Sequence, residues 1–420
     1  MTSTFRDFDI HRLRHSLQYD PHAVIAANNG KPPLTMQSFQ RVIGALPEPA
    51  DPLPTPRAIP PPGPATAIPL SAATTVSSFD IPSLVDLGYP ASALPASLFP
   101  GGETPGLARL DASLSDASWV CAFEKPKTNP ASLDPPGTTV LSPYLRHGCV
   151  SSRLFHQRLS EVYRASKGRH SQPPVSLRGQ MLWRDFYITC GLGIEGFESM
   201  EANAVCKKID WDTDAAAEAR LAAWAEARTG FPWIDAIMTQ LREVGWMHHL
   251  ARHSVACFLT RGDLYVSWER GRDVFDKYLL DADWALNNGN WMWLSASAFF
   301  HQYFRVYSPI AFGKQYDKSG KFIRHFLPVL AKFPDKYIYE PWLAPIEVQE
   351  KAGCIVGKDY PMPIVDHATI HKENIGRMAR AYQANNEGAL DEVAPPKKAA
   401  PQKRTAKEDG AAPKRAKKGQ

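Results

Sequence analysis

The sequence is short of the features that mark several protein classes. Its six cysteines (Cys121, Cys149, Cys190, Cys206, Cys257, Cys354) form no C-x-x-C pair. That spacing points to neither a zinc site nor a disulfide framework, and it fits reduced, intracellular thiols. No apolar run approaches the ~18 residues of a membrane helix. The N-terminal MTSTFRDFDIHRLRHS has no apolar stretch of the kind a signal peptide needs. Neither G-x-x-x-x-G-K-[ST] nor a convincing G-x-G-x-x-G occurs, which excludes glycine-rich phosphate cradles. Strand-like alternation is scarce after residue 130, and no internal repeat is visible.

What is present is a chain of 420 residues, 44% hydrophobic, enough for one large core or two moderate ones. It is rich in aromatics, with 11 Trp, 14 Tyr and 19 Phe. A large helical core explains them, and so does a stacking or redox site. The net charge of +5 is uneven. Residues 397–420 hold nine Lys/Arg against Glu408 and Asp409, a net +7, which leaves −2 for residues 1–396. The basic excess is therefore a tail.

Ten prolines between Pro47 and Pro69 force extended chain and mark a linker. From about Phe79 the composition is globular, and from about Ser151 to Tyr382 the pattern is helical. Pro232 suits a first helical turn, and Ile234, Ile237, Met238 and Leu241 then share one face. Gly245 breaks that pattern, and a second helix is predicted from Met247 to Thr260, stopping at Gly262. From about Asn386 the Ala/Pro/Lys-rich sequence is predicted to be disordered.

Three constellations can carry chemistry. In MHHLARH (247–253), His249 and His253 share a helix face and suit zinc binding or proton transfer, although a zinc protease would need H-E-x-x-H. Structural histidines are the alternative. In DADWALNN (281–288), Asp281 and Asp283 pair with Arg252, bind a polar ring, or start a helix. In TTVLS (138–142), clustered hydroxyls bind phosphate or cap a helix.

The stretches TTVLSPYLRHGCVSSRLF (138–155), GQMLWRDFY (179–187), TGFPWIDAIMTQLREVGWMHHLARHSVACFLTRGDLYVSWERG (229–271) and LLDADWALNNGNWMWLSASAFFHQYFRVYSP (279–309) follow one another in an order that resembles the flavin domain of the DNA photolyase/cryptochrome family. KFIRHFLPVL, KYIYEPW and YPMPIVDH extend the resemblance, which runs from about Phe79 to Tyr382. YDPHAVIAANNGKPPLTMQSF (19–39) resembles the end of the family's antenna domain.

The resemblance implies a mainly α fold, a helical FAD-binding domain with most of the N-terminal α/β antenna domain absent. Residues 1–46 would be the remnant of that domain, 47–78 a Pro-rich linker, 79–385 the FAD-binding catalytic domain and 386–420 a disordered basic tail. FAD is the implied cofactor, an antenna chromophore is not expected, and no metal is assigned. Thr138, Thr139, Val140, Leu141 and Ser142 would hold the phosphates, with Gln180 and Arg184 nearby. His249, Arg252, Asp281, Ala282 and Asp283 would border the rest of the cofactor, with Arg252 paired to Asp281, and Asn287 would face flavin N5.

Asn287 is similar to the photolyases, whereas insect cryptochromes carry Cys there. His249 and His253 are similar to the (6-4) photolyases, where cyclobutane-dimer enzymes usually have Asn and Met. His249 would donate a proton and His253 would tune it. Trp183, Trp293 and Tyr307 match lesion-pocket positions. Trp291, Trp268 and Trp211 match an electron relay whose outermost member nears solvent, and Tyr265, one helical turn before Trp268, extends it. The implied function is light-dependent repair of (6-4) photoproducts in UV-damaged DNA by a lyase. The alternative is a cryptochrome-type light receptor or circadian transcriptional regulator. A monomer in the nucleus, imported through its basic tail and with no membrane partner, completes the expectation.

Overall fold

The computed structural model describes residues 17–54, 58, 82–90, 92 and 97–393. The N-terminal sixteen residues, most of the predicted linker and the tail beyond Val393 lie outside the described residues. The helices in chain order are α1 (Pro21–Ala27), α2 (Met36–Ile43), α3 (Glu103–Leu114), α4 (Ala117–Ala122), α5 (Ser142–Arg146), α6 (Ser152–Ala165), α7 (Leu177–Gly193) and α8 (Ala215–Ala225). There follow α9 (Pro232–Val244), α10 (His249–Cys257), α11 (Trp268–Tyr278), α12 (Trp284–Leu294), α13 (Ala311–Tyr316), α14 (Lys321–Phe326), α15 (Ile346–Ala352) and α16 (His367–Val393). Among the described residues strand pairing is confined to two isolated bridges, Asp212 with Val266 and Val356 with Tyr360. No helix among them is long and apolar enough to cross a membrane.

Local sequence sets the helix ends. At α9, Pro232 occupies the first turn, and Asp235 gathers the amides of Thr229 and Gly230 and the hydroxyls of Thr229 and Tyr360. Ile234, Ile237, Met238 and Leu241 are all fully buried, as their spacing predicts. Gly245 ends the helix in the left-handed region at φ 70°, where a Cβ would also strike Leu280. The Gly245 carbonyl accepts from the Leu280 amide at 2.8 Å, so the end of α9 holds the Asp281–Asp283 loop beside α10.

The second predicted helix is shorter than its pattern suggests. It runs as α10 to Cys257 and then widens into a π-turn over Phe258–Gly262. One further boundary differs. α16 continues past Asn386, where the sequence places the start of a disordered tail. Residues 17–46 pack into the larger core: Tyr19, Val24, Met36, Phe39, Val42 and Ile43 join α7 to α12 there. Asp185 of α7 fixes this segment by accepting from the Gln18 and Tyr19 amides.

The apolar interior forms two clusters. The larger joins α1, α2 and α7 to α12 with the segments that follow, and the smaller joins α3 to α6 with Leu177 and Met181 of α7. A cavity lined by residues of both clusters opens at the seam between them.

Candidate active site

The cavity encloses about 260 Å³. Phe123, Leu141, Phe155 and Met181 face it from the smaller core, and Met247, Phe275, Leu279 and Trp291 from the larger. All thirteen residues that the sequence assigns to the cofactor line it: Thr138, Thr139, Val140, Leu141, Ser142, Gln180, Arg184, His249, Arg252, Asp281, Ala282, Asp283 and Asn287. They come from four segments, and only the tertiary fold brings them to one wall.

The two carboxylates divide the roles that their spacing leaves open. Asp281 forms a bidentate pair with Arg252, at 3.1 and 2.8 Å. Asp283 caps α12, accepting from the Ala285 and Leu286 amides at 3.1 and 3.2 Å. The TTVLS hydroxyls do not cap α5, which starts at Ser142 with no side-chain cap. Gln180 donates through Nε2 to the carbonyls of Pro174, Val175 and Ser176, which leaves its Oε1 buried without a partner. Asn287 donates through Nδ2 to Asp276 at 2.6 Å and to the Arg272 carbonyl at 3.1 Å, so Oδ1 is its remaining polar group.

The three histidines of MHHLARH separate by role. His248 caps α10, its Nδ1 accepting from the Leu250 amide at 3.0 Å, which leaves the proton on Nε2. His249 and His253 line the cavity with ring centroids 4.0 Å apart. His253 Nδ1 lies 3.2 Å from the Tyr307 hydroxyl. Burial holds the His249 imidazole well below its ordinary range, and its neighbours His253, Lys125, His248 and Arg252 push the same way. Burial likewise drives His253 down to about 3, aided by Lys125 and Arg261. Among the described residues no three His, Cys, Asp or Glu side chains gather as a metal site would.

Trp183 and Trp293 meet edge to face at 5.4 Å, and Trp293 stacks on Phe300 at 5.3 Å. With Tyr307 they are half-buried, and each neighbours residues that line the cavity. Trp291, Trp268 and Trp211 are all buried, with indole N–H groups that find no partner. Trp291 lies on the cavity wall and packs onto α11 at Gly271, where a Cβ would sit 2.2 Å from the indole. Trp268 is one turn from that contact. The Asp212–Val266 bridge brings Trp211 to the same region. Trp211 is only 5% exposed, where the sequence reading expects it near solvent, because Tyr265 covers it at 4.8 Å. Tyr265 does not stand one helical turn from Trp268. It precedes α11, in a left-handed conformation at φ 53°.

Sequence reasoning missed Lys125, Arg146 and Trp246 on the cavity wall. Lys125 is the most unusual: it carries no acidic partner, and burial with Arg252 nearby lowers its ammonium to about 7. A lysine between Glu124 and Pro126 reads as surface, and only the fold turns it inward. Arg146 donates to the Ala282 carbonyl and so braces the Asp281–Asp283 loop. Trp246 donates to Ser142 at 3.3 Å.

The lining thus holds four cations, Lys125, Arg146, Arg184 and Arg252, against the two carboxylates Asp281 and Asp283. That excess, with the unpartnered Gln180 Oε1 and Trp291 Nε1, suits a ligand with an anionic diphosphate, a polar ring and a flat aromatic part. FAD has those three parts, so the residues present fit it.

Comparison with known proteins agrees. Residues 176–380 match the FAD binding domain of DNA photolyase. A (6-4) DNA photolyase of Oryza sativa subsp. japonica is 52% identical over 386 residues, covering 92% of this chain and 67% of the relative. Cryptochrome-1 of Gallus gallus is 49% identical over 379 residues, covering 89% of this chain and 58% of the relative. The crystal structure of a class III photolyase from Agrobacterium tumefaciens superposes with a TM-score of 0.64 at 26% identity, over 88% of this chain and 72% of that one. A mostly helical fold, a cavity that fits FAD and half-identical relatives along most of the sequence lead to one conclusion: the chain belongs to the DNA photolyase/cryptochrome family.

Proposed function

We propose that the chain is a (6-4) DNA photolyase, a lyase that uses light and reduced FAD to repair (6-4) pyrimidine–pyrimidone photoproducts in UV-damaged DNA. The observation that carries this reading is the His249–His253 pair, in ring contact on the cavity wall and joined to Tyr307. The 52% identity to a (6-4) photolyase supports it.

Bound in the cavity, FAD supplies light absorption and the electron that reaches the lesion. Thr138, Thr139 and Ser142, beside Val140 and Leu141, would hold the phosphates through their hydroxyls, with Gln180 and Arg184 near. The Arg252–Asp281 pair and the Ala282–Asp283 segment would hold the remainder, and Asn287, whose amide oxygen is its remaining polar group, would face the flavin ring. Trp183, Trp293 and Tyr307 offer aromatic surface to bases flipped from the duplex. Burial and the neighbouring cations disfavour the protonated form of His249. Negative charge on the lesion favours its protonated form, and His249 then gives that proton to the hydroxyl moving between the two bases. His253, steadied by Tyr307, orients it. Trp291, Trp268 and Trp211 would carry electrons toward the flavin.

Further parts of the proposal rest on sequence. The protein acts on DNA as a monomer in the nucleus, imported through the basic cluster of residues 397–418. The 49% identity to a cryptochrome-1 favours a second reading, a light-signalling or transcription-regulating protein without repair. Purification followed by a flavin spectrum and a light-dependent (6-4) repair assay decides. Bound flavin with repair supports the enzyme, and bound flavin without repair supports the second reading.

A further inference from the structure

Arg261 is 1% exposed, and its hydrogen bonds go to main-chain carbonyls. Nε donates to Leu294 at 2.8 Å, and Nη1 donates to Tyr303 at 2.8 Å and to Arg305 at 2.6 Å. Leu294 is the last residue of α12, so its carbonyl is one that the helix leaves open, and a cation is favoured there. Tyr303 and Arg305 lie on the far limb of the loop that follows. One guanidinium therefore ties the two limbs of residues 294–305 together. A buried cation is costly unless such acceptors satisfy it, so the loop and the charge stabilise each other.

The neighbouring backbone is built around this contact. The chain leaves α10 through the π-turn Phe258–Gly262, with Thr260 at φ −94° and ψ −113°, and that turn carries Arg261 to the end of α12. In the loop, Ala296 and Phe299 hold left-handed conformations at φ 58° and 64°, which cost a residue other than glycine energy. Phe300 stacks on Trp293 at 5.3 Å, and the guanidinium stands 5.8 Å from the centre of its ring. Two residues beyond Arg305, Tyr307 reaches His253. The tip of the loop is open, with Gln302 and Arg305 exposed and Phe304 57% exposed.

We infer that Arg261 is a positioning residue for damaged DNA: by closing the neck of the 294–305 loop, it sets Phe300 against Trp293 and Tyr307 against His253, the aromatic surface on which flipped bases would rest. The inference rests on the reading of that surface as the lesion site. Arg261 acts before chemistry, by keeping the loop in its binding form so that no ordering cost falls on association. A lysine cannot do the same. Its ammonium lacks the planar fork that reaches Leu294 on one side and Tyr303 and Arg305 on the other.

The test uses the full chain loaded with FAD, a duplex holding one (6-4) photoproduct, and the same duplex undamaged. Arg261→Lys should bind the damaged duplex about tenfold more weakly, on the scale of one lost charge-assisted hydrogen bond, with flavin content and affinity for the undamaged duplex unchanged. Arg261→Met, which leaves three carbonyls facing an apolar chain, should bind it more weakly still. Amide hydrogen exchange over residues 299–307 should quicken in both variants, while exchange in α9 stays as in the unaltered chain. Should Arg261→Met fail to fold, Arg261→Lys decides alone. Unchanged lesion affinity in Arg261→Lys, unchanged exchange over 299–307, or flavin lost in step with lesion affinity would overturn the inference, the last by making Arg261 a support of the whole fold. Equal affinity of the unaltered chain for both duplexes would instead remove the lesion site on which it rests, a failure separable from the others.

Discussion

Arg252 and Asp281 meet through two parallel hydrogen bonds at the floor of the Asp281–Asp283 loop, with the Asp281 side chain only 4% exposed. Removing one member leaves the other's charge uncompensated. Asp281→Ala should lower stability by about 3 kcal/mol, the usual cost of breaking such a pair, and should abolish flavin retention on purification. Thermal denaturation and the flavin-to-protein absorbance ratio measure both. Full flavin content in the variant would remove Asp281 from the binding site.

His249 tests chemistry apart from binding. His249→Ala should keep FAD and damaged-DNA affinity while losing at least about 100-fold in repair rate, as expected when a general acid is removed. His253→Ala should be affected less cleanly, because it acts through its neighbour. Normal repair by His249→Ala would show that the (6-4) assignment is mistaken.

Trp291 tests the row of tryptophans. Trp291→Phe keeps an aromatic ring against Gly271 but replaces the indole. Photoreduction of oxidised FAD should fall nearly to zero. Repair should persist when the flavin is reduced chemically beforehand, since the row feeds the flavin and not the lesion. Undiminished flavin photoreduction would reduce these tryptophans to core packing.

Asp185 gives a pH signature. Burial raises its carboxyl to about 7, well above the ordinary carboxylate value, although it accepts two amide hydrogen bonds. A raised value favours the protonated folded state, so its contribution to stability is full at low pH and is lost as pH climbs from about 4 through 7. Asp185→Asn has no such loss and keeps an oxygen to accept from Gln18 and Tyr19. Its melting temperature relative to the unaltered chain should therefore rise between pH 5 and pH 8, by the equivalent of on the order of 2 kcal/mol. A difference independent of pH would show that the carboxyl titrates normally.

The basic tail is tested by deletion. Removing residues 394–420 leaves α16 complete and should disperse a fluorescent fusion from the nucleus into the cytoplasm. Unchanged nuclear accumulation would exclude this segment as the import signal.

Sequence alone determined what depends on local chemistry. The spacing of Ile234, Ile237, Met238 and Leu241 sets the buried face of α9, and Pro232 and Gly245 set its ends, because capping and periodicity act within a few residues. The motifs likewise singled out residues that share one cavity wall. Tertiary structure decided what depends on groups distant in the chain. It assigned Asp281 to Arg252 and Asp283 to the α12 cap, a division that identical side chains two residues apart do not reveal. It drew Lys125 inward from a polar loop and covered Trp211 with Tyr265. It also laid Arg377, more than a hundred residues away, on the Tyr265 ring. Burial and proximity, not residue type, fix whether a charge is solvated, paired or left to act on its neighbour, and both arise only when the helices pack.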